Sequence, residues 1–159
     1  MKLAVLILED EPEVRDALER DLIDLARHVR LETAEDVEDA REVLAEIERD
    51  GDELALALCD HRMPGTTGVE FLVEMMNDPV HCHARKVLVT GQADLSDTVR
   101  AVNEADLDHY IAKPWNVEEL REVVRRMLTD YVEITGLDPM HYMAVLDKVR
   151  AMEIIKERS

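Results

Sequence analysis

Short, continuously apolar runs recur along the chain and constrain its fold more than any other feature of the sequence. The clearest are LAVLIL at residues 3–8 and LALALC at residues 54–59, in which no polar residue alternates with the apolar ones. A strand of this kind buries both of its faces, which is typical of a parallel sheet that is covered by helices on both sides. The runs therefore predict an α/β fold.

Amphipathic segments separate these runs, so that strands and helices alternate five times. The predicted strands are 3–8, 28–33, 54–59, 86–89 and 108–112, and the predicted helices begin at Pro12 and cover 35–50, 67–77, 94–104 and 116–130. Parallel neighbours need crossover connections, and alternating strands and helices supply them. The pattern thus predicts a five-stranded, doubly wound parallel sheet.

The last part of the chain differs in charge and in pattern. The chain has a net charge of −18, but the acidic and basic residues of 137–159 balance each other. Gly136 and Pro139 lie near this change, and an apolar seam at helical spacing follows, formed by Tyr142, Val145, Val149 and Met152. We interpret residues 1–132 as one domain and residues 133–159 as a helical extension. The extension is expected either to pack on its own domain or to serve as a dimerisation or connector helix.

Charge and cysteine content exclude several classes of function. A net charge of −18 repels phosphate backbones and anionic lipids, so we expect no direct binding to nucleic acid and no membrane attachment. No run approaches the roughly 20 apolar residues of a membrane span. Cys59 and Cys82 form no paired framework, as is usual in a reducing compartment. The chain is therefore predicted to be cytoplasmic.

Polar side chains follow four of the predicted strands. They are Glu9 and Asp10 after the first strand, Asp60 after the third, Thr90 after the fourth and Lys113 after the fifth. The carboxyl ends of parallel strands meet at one edge of the sheet, where ligands bind in folds of this class. Three converging carboxylates repel one another unless a cation is present, and Mg²⁺ is the hard cation that accepts carboxylates while it keeps some water. We therefore predict a Mg²⁺ and phosphate site at this edge.

Two further side chains suit phosphoryl transfer at the same edge. Lys113 offers a positive charge and Thr90 a hydroxyl group to phosphoryl oxygens. A carboxylate can form an aspartyl phosphate, which makes Asp60 a candidate nucleophile.

Four motifs in this order resemble the receiver domain of two-component response regulators. They are VLILEDEPEVRDAL (5–18), CDHRMPGTTGVEFL (59–72), VLVTGQAD (87–94) and YIAKPWNVEEL (110–120). The resemblance extends from residue 3 to about residue 130. It implies a flavodoxin-like fold with strand order 2-1-3-4-5.

The resemblance also implies a role for each residue of the acidic site. Asp60 is implied to accept the phosphoryl group, Asp10 and the backbone carbonyl of Arg62 to bind Mg²⁺ directly, and Glu9 to act through water. The family more often has Asp at the position of Glu9, so the resemblance leaves open the metal affinity and the dephosphorylation rate.

The remaining motif positions carry the implied switch. Lys113 is implied to contact the phosphate, and Thr90 and Tyr110 to form the switch pair. The Lys113–Pro114 bond is expected to be cis by resemblance, since cis bonds occur almost only before proline.

The resemblance implies a signalling switch rather than an enzyme with a separate substrate. A histidine kinase or a histidine phosphotransfer protein would donate the phosphoryl group, and the chain would catalyse only its own phosphorylation and dephosphorylation. No DNA-binding or output-domain pattern follows residue 132. We expect either a stand-alone receiver that acts through a downstream protein, with a homodimer as one arrangement, or the front of a longer regulator.

Other functions fit parts of the pattern. A metal-dependent phosphatase also uses an Asp nucleophile, but it usually has a second acid two residues later, where this chain has Arg62. A degenerate receiver would bind partners without phosphate, and the presence of Asp60, Thr90 and Lys113 argues against it. The segment His81-Cys82-His83 lacks the spacing of a metal motif, so we interpret it as a loop.

Overall fold

The computed structural model describes residues 1–91 and 95–159. The predicted helix start at residue 94 and the last three residues of the motif VLVTGQAD lie outside these ranges.

Five strands form one sheet, in which every pairing is parallel. They are β1 (Leu3–Leu8), β2 (Arg30–Ala34), β3 (Glu53–Cys59), β4 (Arg85–Thr90) and β5 (His109–Ala112). Their order is β2-β1-β3-β4-β5. β1 is buried at every position and β3 at every position after its first, as their apolar runs require. The predicted flavodoxin-like α/β fold is confirmed.

Six α-helices surround the sheet in the described part of the chain. They are α1 (Pro12–Asp21), α2 (Val37–Arg49), α3 (Gly68–Met76), α4 (Leu95–Ala105), α5 (Val117–Thr135) and α6 (Lys148–Arg158). Successive side chains of β1 point to opposite faces, so Leu3 and Val5 pack in the layer with α1 and α5, whereas Ala4 packs with α2, α3 and α4. The sheet is therefore covered on both faces.

Polar side chains determine where several helices begin. Asp36, Thr67 and Asn116 each accept a hydrogen bond from a backbone N–H in the first turn of the helix that follows. Pro12 occupies the first turn of α1, where its missing N–H costs no hydrogen bond. These caps place the start of each helix directly after the loop that leaves the sheet.

The fifth helix is longer than predicted, and the predicted C-terminal helix is present but begins later than its apolar spacing indicated. α5 continues to Thr135 and ends at Gly136, which has a φ of 75° in the left-handed region. Pro139–His141 and Met143–Val145 form two short 3₁₀ turns, and α6 begins only after the Asp147 cap. Val149 and Met152 are 71% and 56% exposed, so they form no buried seam.

Instead, the C-terminal extension packs back on its own domain. Val145, Leu146 and Ala151 are buried in the same core layer as α1 and α5. The backbone N–H of Asp147 donates to Thr129 Oγ1 at 2.9 Å, and Arg150 Nη1 lies 2.6 Å from Asp130 Oδ1 on α5. The extension therefore packs on its own domain, and its role as a dimerisation or connector helix stays a prediction. No helix of the described residues is long and apolar enough to cross a membrane.

Candidate functional site

The carboxyl edge of the sheet brings together acids from two neighbouring strands. Glu9 and Asp10 follow β1, and Asp60 follows β3. The backbone N–H of Asp60 donates to the carbonyl of Leu8 at 2.9 Å, which holds the ends of the two strands together. One carboxylate oxygen from each of the three acids lies within 4.8 Å of the others. The register between β1 and β3 thus builds a cluster from residues that are 50 positions apart in the sequence.

Lys113 reaches this cluster from the far end of the chain. Its Nζ lies 3.0 Å from Glu9 Oε2 and 3.6 Å from Asp60 Oδ1. The backbone N–H of Lys113 donates to the carbonyl of Thr90 at 3.2 Å, which holds the end of β5 beside the end of β4. The Lys113–Pro114 bond is cis, as expected. One lysine therefore faces three carboxylates, and its shorter contact is with Glu9.

The cluster is buried and carries more negative charge than its own residues compensate. Glu9 is only 1% exposed, and this burial raises its pKa to about 7 although the hydrogen bond from Lys113 acts in the opposite direction. Asp60 raises the same pKa through charge repulsion. Asp10 Oδ1 is buried and has no hydrogen-bond partner among the described residues. An unpartnered buried oxygen among three carboxylates is a donor set that fits a hard divalent cation such as Mg²⁺.

The turn after Asp60 leaves no room for a side chain at Gly68. A Cβ at this position would overlap the carbonyl oxygen of Asp60. The backbone N–H of Gly68 donates to the carbonyl of His61 at 3.1 Å, so the first residue of α3 packs directly against the turn. Arg62, the second residue after Asp60, has an exposed side chain. The first residue of α3 thus packs directly against the backbone of Asp60.

Thr90 and Tyr110 lie on adjacent strands beside the acidic cluster. Thr90 is buried at the end of β4, whereas the side chain of Tyr110 on β5 is partly exposed. The Tyr110 hydroxyl donates to the carbonyl oxygen of Thr90 at 3.2 Å. The two predicted switch residues are therefore in direct contact, with the tyrosine ring turned towards the surface.

Some contacts of the site were not predicted from the sequence. The indole N–H of Trp115 donates to Asp21 Oδ2 at 2.9 Å, which joins the loop after Lys113 to the end of α1. The imidazole of His61 lies 3.1 Å from Asp97 on α4. No local pattern could have revealed these pairs, because their partners are far apart in the sequence and meet only in the fold.

The cysteines and the histidine-rich segment lie outside the cluster. Cys59 is fully buried in β3, where burial raises the pKa of its thiol, and it acts as a small core residue as predicted. His81 lies in the turn before β4, and its Nδ1 is 3.0 Å from Asp78 Oδ2. Among the described residues, Glu9, Asp10 and Asp60 are the group whose ligand atoms are close enough to hold a metal.

Comparison with known protein families identifies the family of this chain. The model of the response regulator receiver domain matches residues 5–125. The chain belongs to the response regulator receiver family.

This receiver is similar to parts of longer transcriptional regulators. It is 32% identical over 155 residues to the hydrogenase transcriptional regulatory protein HoxA of Cupriavidus necator, covering 98% of this chain and 29% of that protein. It is 27% identical over 153 residues to the phosphate regulon regulator PhoB of Pseudomonas aeruginosa, covering 90% of this chain and 63% of PhoB. The chain therefore spans less than two thirds of either relative.

Solved structures show the same fold. A CheY-like receiver domain protein from Methanospirillum hungatei is 28% identical, with a TM-score of 0.71 over 84% of this chain and 99% of that chain. The receiver domain of an HD domain-containing protein from Pseudomonas fluorescens gives a TM-score of 0.75 at 23% identity, over 85% and 93% of the two chains. This receiver thus has the fold of signalling domains that occur in proteins with different outputs.

Proposed function

We propose that this receiver is a phosphorylation-dependent switch in two-component signal transduction, with Asp60 as the phosphoacceptor. The observation that carries the proposal is the buried cluster of Glu9, Asp10 and Asp60 beside Lys113. A purely structural cluster would be expected to pair its charges, yet one oxygen of Asp10 has no partner among the described residues.

The chemistry follows from the positions of these side chains. A carboxylate oxygen of Asp60 attacks the phosphorus of a phosphohistidine, the phosphorus–nitrogen bond breaks, and the donor histidine leaves with the bonding electron pair. Lys113 compensates the charge of one phosphoryl oxygen, and the hydroxyl of Thr90 donates to another. Glu9, Asp10, Asp60 and the carbonyl oxygen of Arg62 would hold Mg²⁺, which neutralises the acids and the incoming phosphoryl oxygens.

Phosphorylation would reach the surface through Thr90 and Tyr110. The phosphoryl group adds a charge of about −1.5 to −2 at Asp60 and draws the Thr90 hydroxyl towards it. Tyr110 donates to the Thr90 carbonyl with its ring turned outwards, so a displacement of Thr90 gives the ring room to turn inwards. The surface between residues 90 and 115 then changes, and water attack on the acyl phosphate resets it.

The partners follow from this role. A histidine kinase or a histidine phosphotransfer protein would be the donor, and the receiver would act in the cytoplasm on a downstream protein or on an output domain of a longer chain. Longer regulators are favoured because the chain covers 29% of HoxA from Cupriavidus necator. The net charge of −18 disfavours direct contact with nucleic acid or with anionic lipid.

Incubation with acetyl phosphate and Mg²⁺, followed by intact-mass measurement, tests the phosphoacceptor. The parent chain is expected to gain one labile phosphoryl group, and Asp60→Asn is expected to gain none. Asp24→Asn is the matched control, because Asp24 is exposed outside the site and its loss should leave phosphorylation unchanged. Equal phosphorylation of the parent and Asp60→Asn would contradict the assignment.

Two further measurements test the remaining parts of the proposal. Sustained phosphate release from a small organophosphate would contradict the switch and indicate a phosphatase instead. Sedimentation of the full chain with and without beryllofluoride tests whether the phosphorylated form is a homodimer, and a monomer in both samples would exclude that arrangement.

A further inference from the structure

A histidine next to the phosphoacceptor contacts the helix that follows the switch threonine. His61 Nε2 lies 3.1 Å from Asp97 Oδ2, and the two side chains are 11% and 35% exposed. Asp97 belongs to the first turn of α4. The pair therefore joins His61, the residue directly after Asp60, to the start of α4.

Both ends of this contact are held in place by packing. The carbonyl of His61 accepts a hydrogen bond from Gly68 at 3.1 Å, which fixes the turn against α3. Ala101 and Ala105 of α4 are fully buried in the core layer that also contains α3. Because the backbone on each side is restrained, the imidazole is a short link between two packed elements rather than a contact between mobile surface side chains.

The imidazole makes this contact with only one of its two nitrogens. Nδ1 of His61 is buried and has no hydrogen-bond partner among the described residues. A buried polar atom without a partner destabilises the arrangement that contains it. The contact with Asp97 is thus the interaction that offsets the burial of this ring.

The pair occurs together with the outward orientation of Tyr110. In the same structure the Tyr110 hydroxyl donates to the Thr90 carbonyl, and Lys113 contacts Glu9 more closely than Asp60. The His61–Asp97 contact therefore occurs together with the outward orientation of Tyr110, which the proposed switch would reverse on phosphorylation.

We infer that His61 and Asp97 are positioning residues whose contact holds the start of α4 against the phosphoacceptor turn and opposes activation. The inference rests on the proposed function of Asp60. A contact that forms in only one of two states favours that state by its own free energy, so its loss favours the other state. The pair thus determines how readily phosphorylation shifts α4.

Calorimetric titration of the full chain with beryllofluoride in saturating Mg²⁺ tests this inference. His61→Phe and Asp97→Ala each remove the contact and are expected to lower the beryllofluoride Kd about fivefold to tenfold, at the low end of the range of couplings between sites. Asp97→Asn keeps an oxygen that can accept from Nε2–H, so it is expected to stay within about twofold of the parent. A separate titration with Mg²⁺ alone is expected to give the parent affinity in every variant.

The controls separate this link from a general effect on α4. Val102 is 51% exposed on the same helix, and Val102→Ala is expected to leave the beryllofluoride Kd unchanged. The double variant of His61→Phe with Asp97→Ala should show no larger effect than Asp97→Ala alone, because the two changes remove the same contact. Circular dichroism verifies that each variant is folded. If His61→Phe does not fold, Asp97→Ala provides the test, because Asp97 is partly exposed.

The outcomes are distinguishable. An unchanged or raised beryllofluoride Kd in Asp97→Ala, or additive effects in the double variant, would overturn the inference while leaving the phosphoacceptor assignment intact. A parent chain that does not bind beryllofluoride in Mg²⁺ would overturn the proposed function and this inference with it.

Discussion

The two edges of the sheet handle buried charge in opposite ways. At the amino edge, the buried Nζ of Lys86 donates to the carbonyls of Cys82 and Ala84 at 3.0 and 2.8 Å. Asp108 accepts from Arg85 and from the backbone N–H of Lys86 at 2.9 and 2.8 Å. At the carboxyl edge, one lysine contacts two of the three acids, and an oxygen of Asp10 is left without a partner among the described residues.

The difference separates charges that stabilise the fold from charges that serve the site. A buried polar group with its hydrogen bonds complete contributes to a rigid structure, whereas an incomplete set costs free energy that a bound ion or phosphoryl group can recover. Burial lowers the pKa of Lys86 at one edge and raises the pKa of Glu9 to about 7 at the other. When the two edges are compared over the described residues, the buried atoms without a hydrogen-bond partner lie at the carboxyl edge.

The largest expected effect concerns Glu9 and pH. Its folded pKa of about 7 lies above the usual value of 4.5, so the folded state keeps a proton that the unfolded state loses between these pH values. The free energy of unfolding should therefore fall as pH rises from about 4.5 to 7, by up to roughly 3 kcal/mol. Urea unfolding in EDTA at several pH values measures this loss. Glu9→Gln should not show this loss of stability. If the parent and Glu9→Gln lost the same stability between pH 4.5 and 7, the contrast between the two edges would be disproved.

The next effect concerns two glycines, one near each edge. Gly68→Ala introduces a Cβ that overlaps the Asp60 carbonyl, so we expect a loss of about 2 to 3 kcal/mol and slower phosphorylation by acetyl phosphate. Gly51→Ala is the comparison, because Gly51 has a φ of 79° but open space around it. Its cost should be about 1 kcal/mol of backbone strain, with phosphorylation unchanged. If both variants phosphorylated at the parent rate, the support of Asp60 by α3 would be disproved.

A third prediction concerns the paired lysine at the amino edge. Lys86→Met removes the donor to the carbonyls of Cys82 and Ala84, and we expect the free energy of unfolding to fall by about 2 kcal/mol. The phosphorylated fraction with acetyl phosphate should not change. Lys148→Met, at an exposed lysine of α6, is the matched control and should alter neither quantity. A phosphorylation defect in Lys86→Met would show that the two edges are not independent.

The smallest expected effect concerns an ion pair of the C-terminal extension. Arg150 and Asp130 form a pair at 2.6 Å whose side chains are 32% and 29% exposed, so Arg150→Ala should lower the free energy of unfolding by only about 0.5 kcal/mol. Leu146→Ala, at a buried position of the same segment, should cost about 2 to 3 kcal/mol. Thermal unfolding of both variants measures the difference. Equal losses would show that the ion pair contributes as much as the apolar contacts to holding the extension in place.

Residue patterns predicted most of the sheet and which side chains lie together at its carboxyl edge, but they predicted the course of the extension poorly. The runs at 3–8 and 54–59 correspond to β1 and β3 because complete burial on both faces imposes a continuous apolar sequence. The seam from Tyr142 to Met152 matched a helical period, yet the chain is interrupted by two 3₁₀ turns and the Asp147 cap. Periodicity alone does not reveal such breaks when several polar residues can act as caps.

By itself the sequence determined the alternation of strands and helices and the chemical identity of the residues that follow each strand. Local physics is sufficient for these features, because burial period, caps and turn residues act over a few positions. Only the tertiary structure decided that Lys113 lies closer to Glu9 than to Asp60, that His61 meets Asp97, and that the extension packs on α5. These contacts depend on strand register and on the packing of distant elements, which no local pattern of residues encodes.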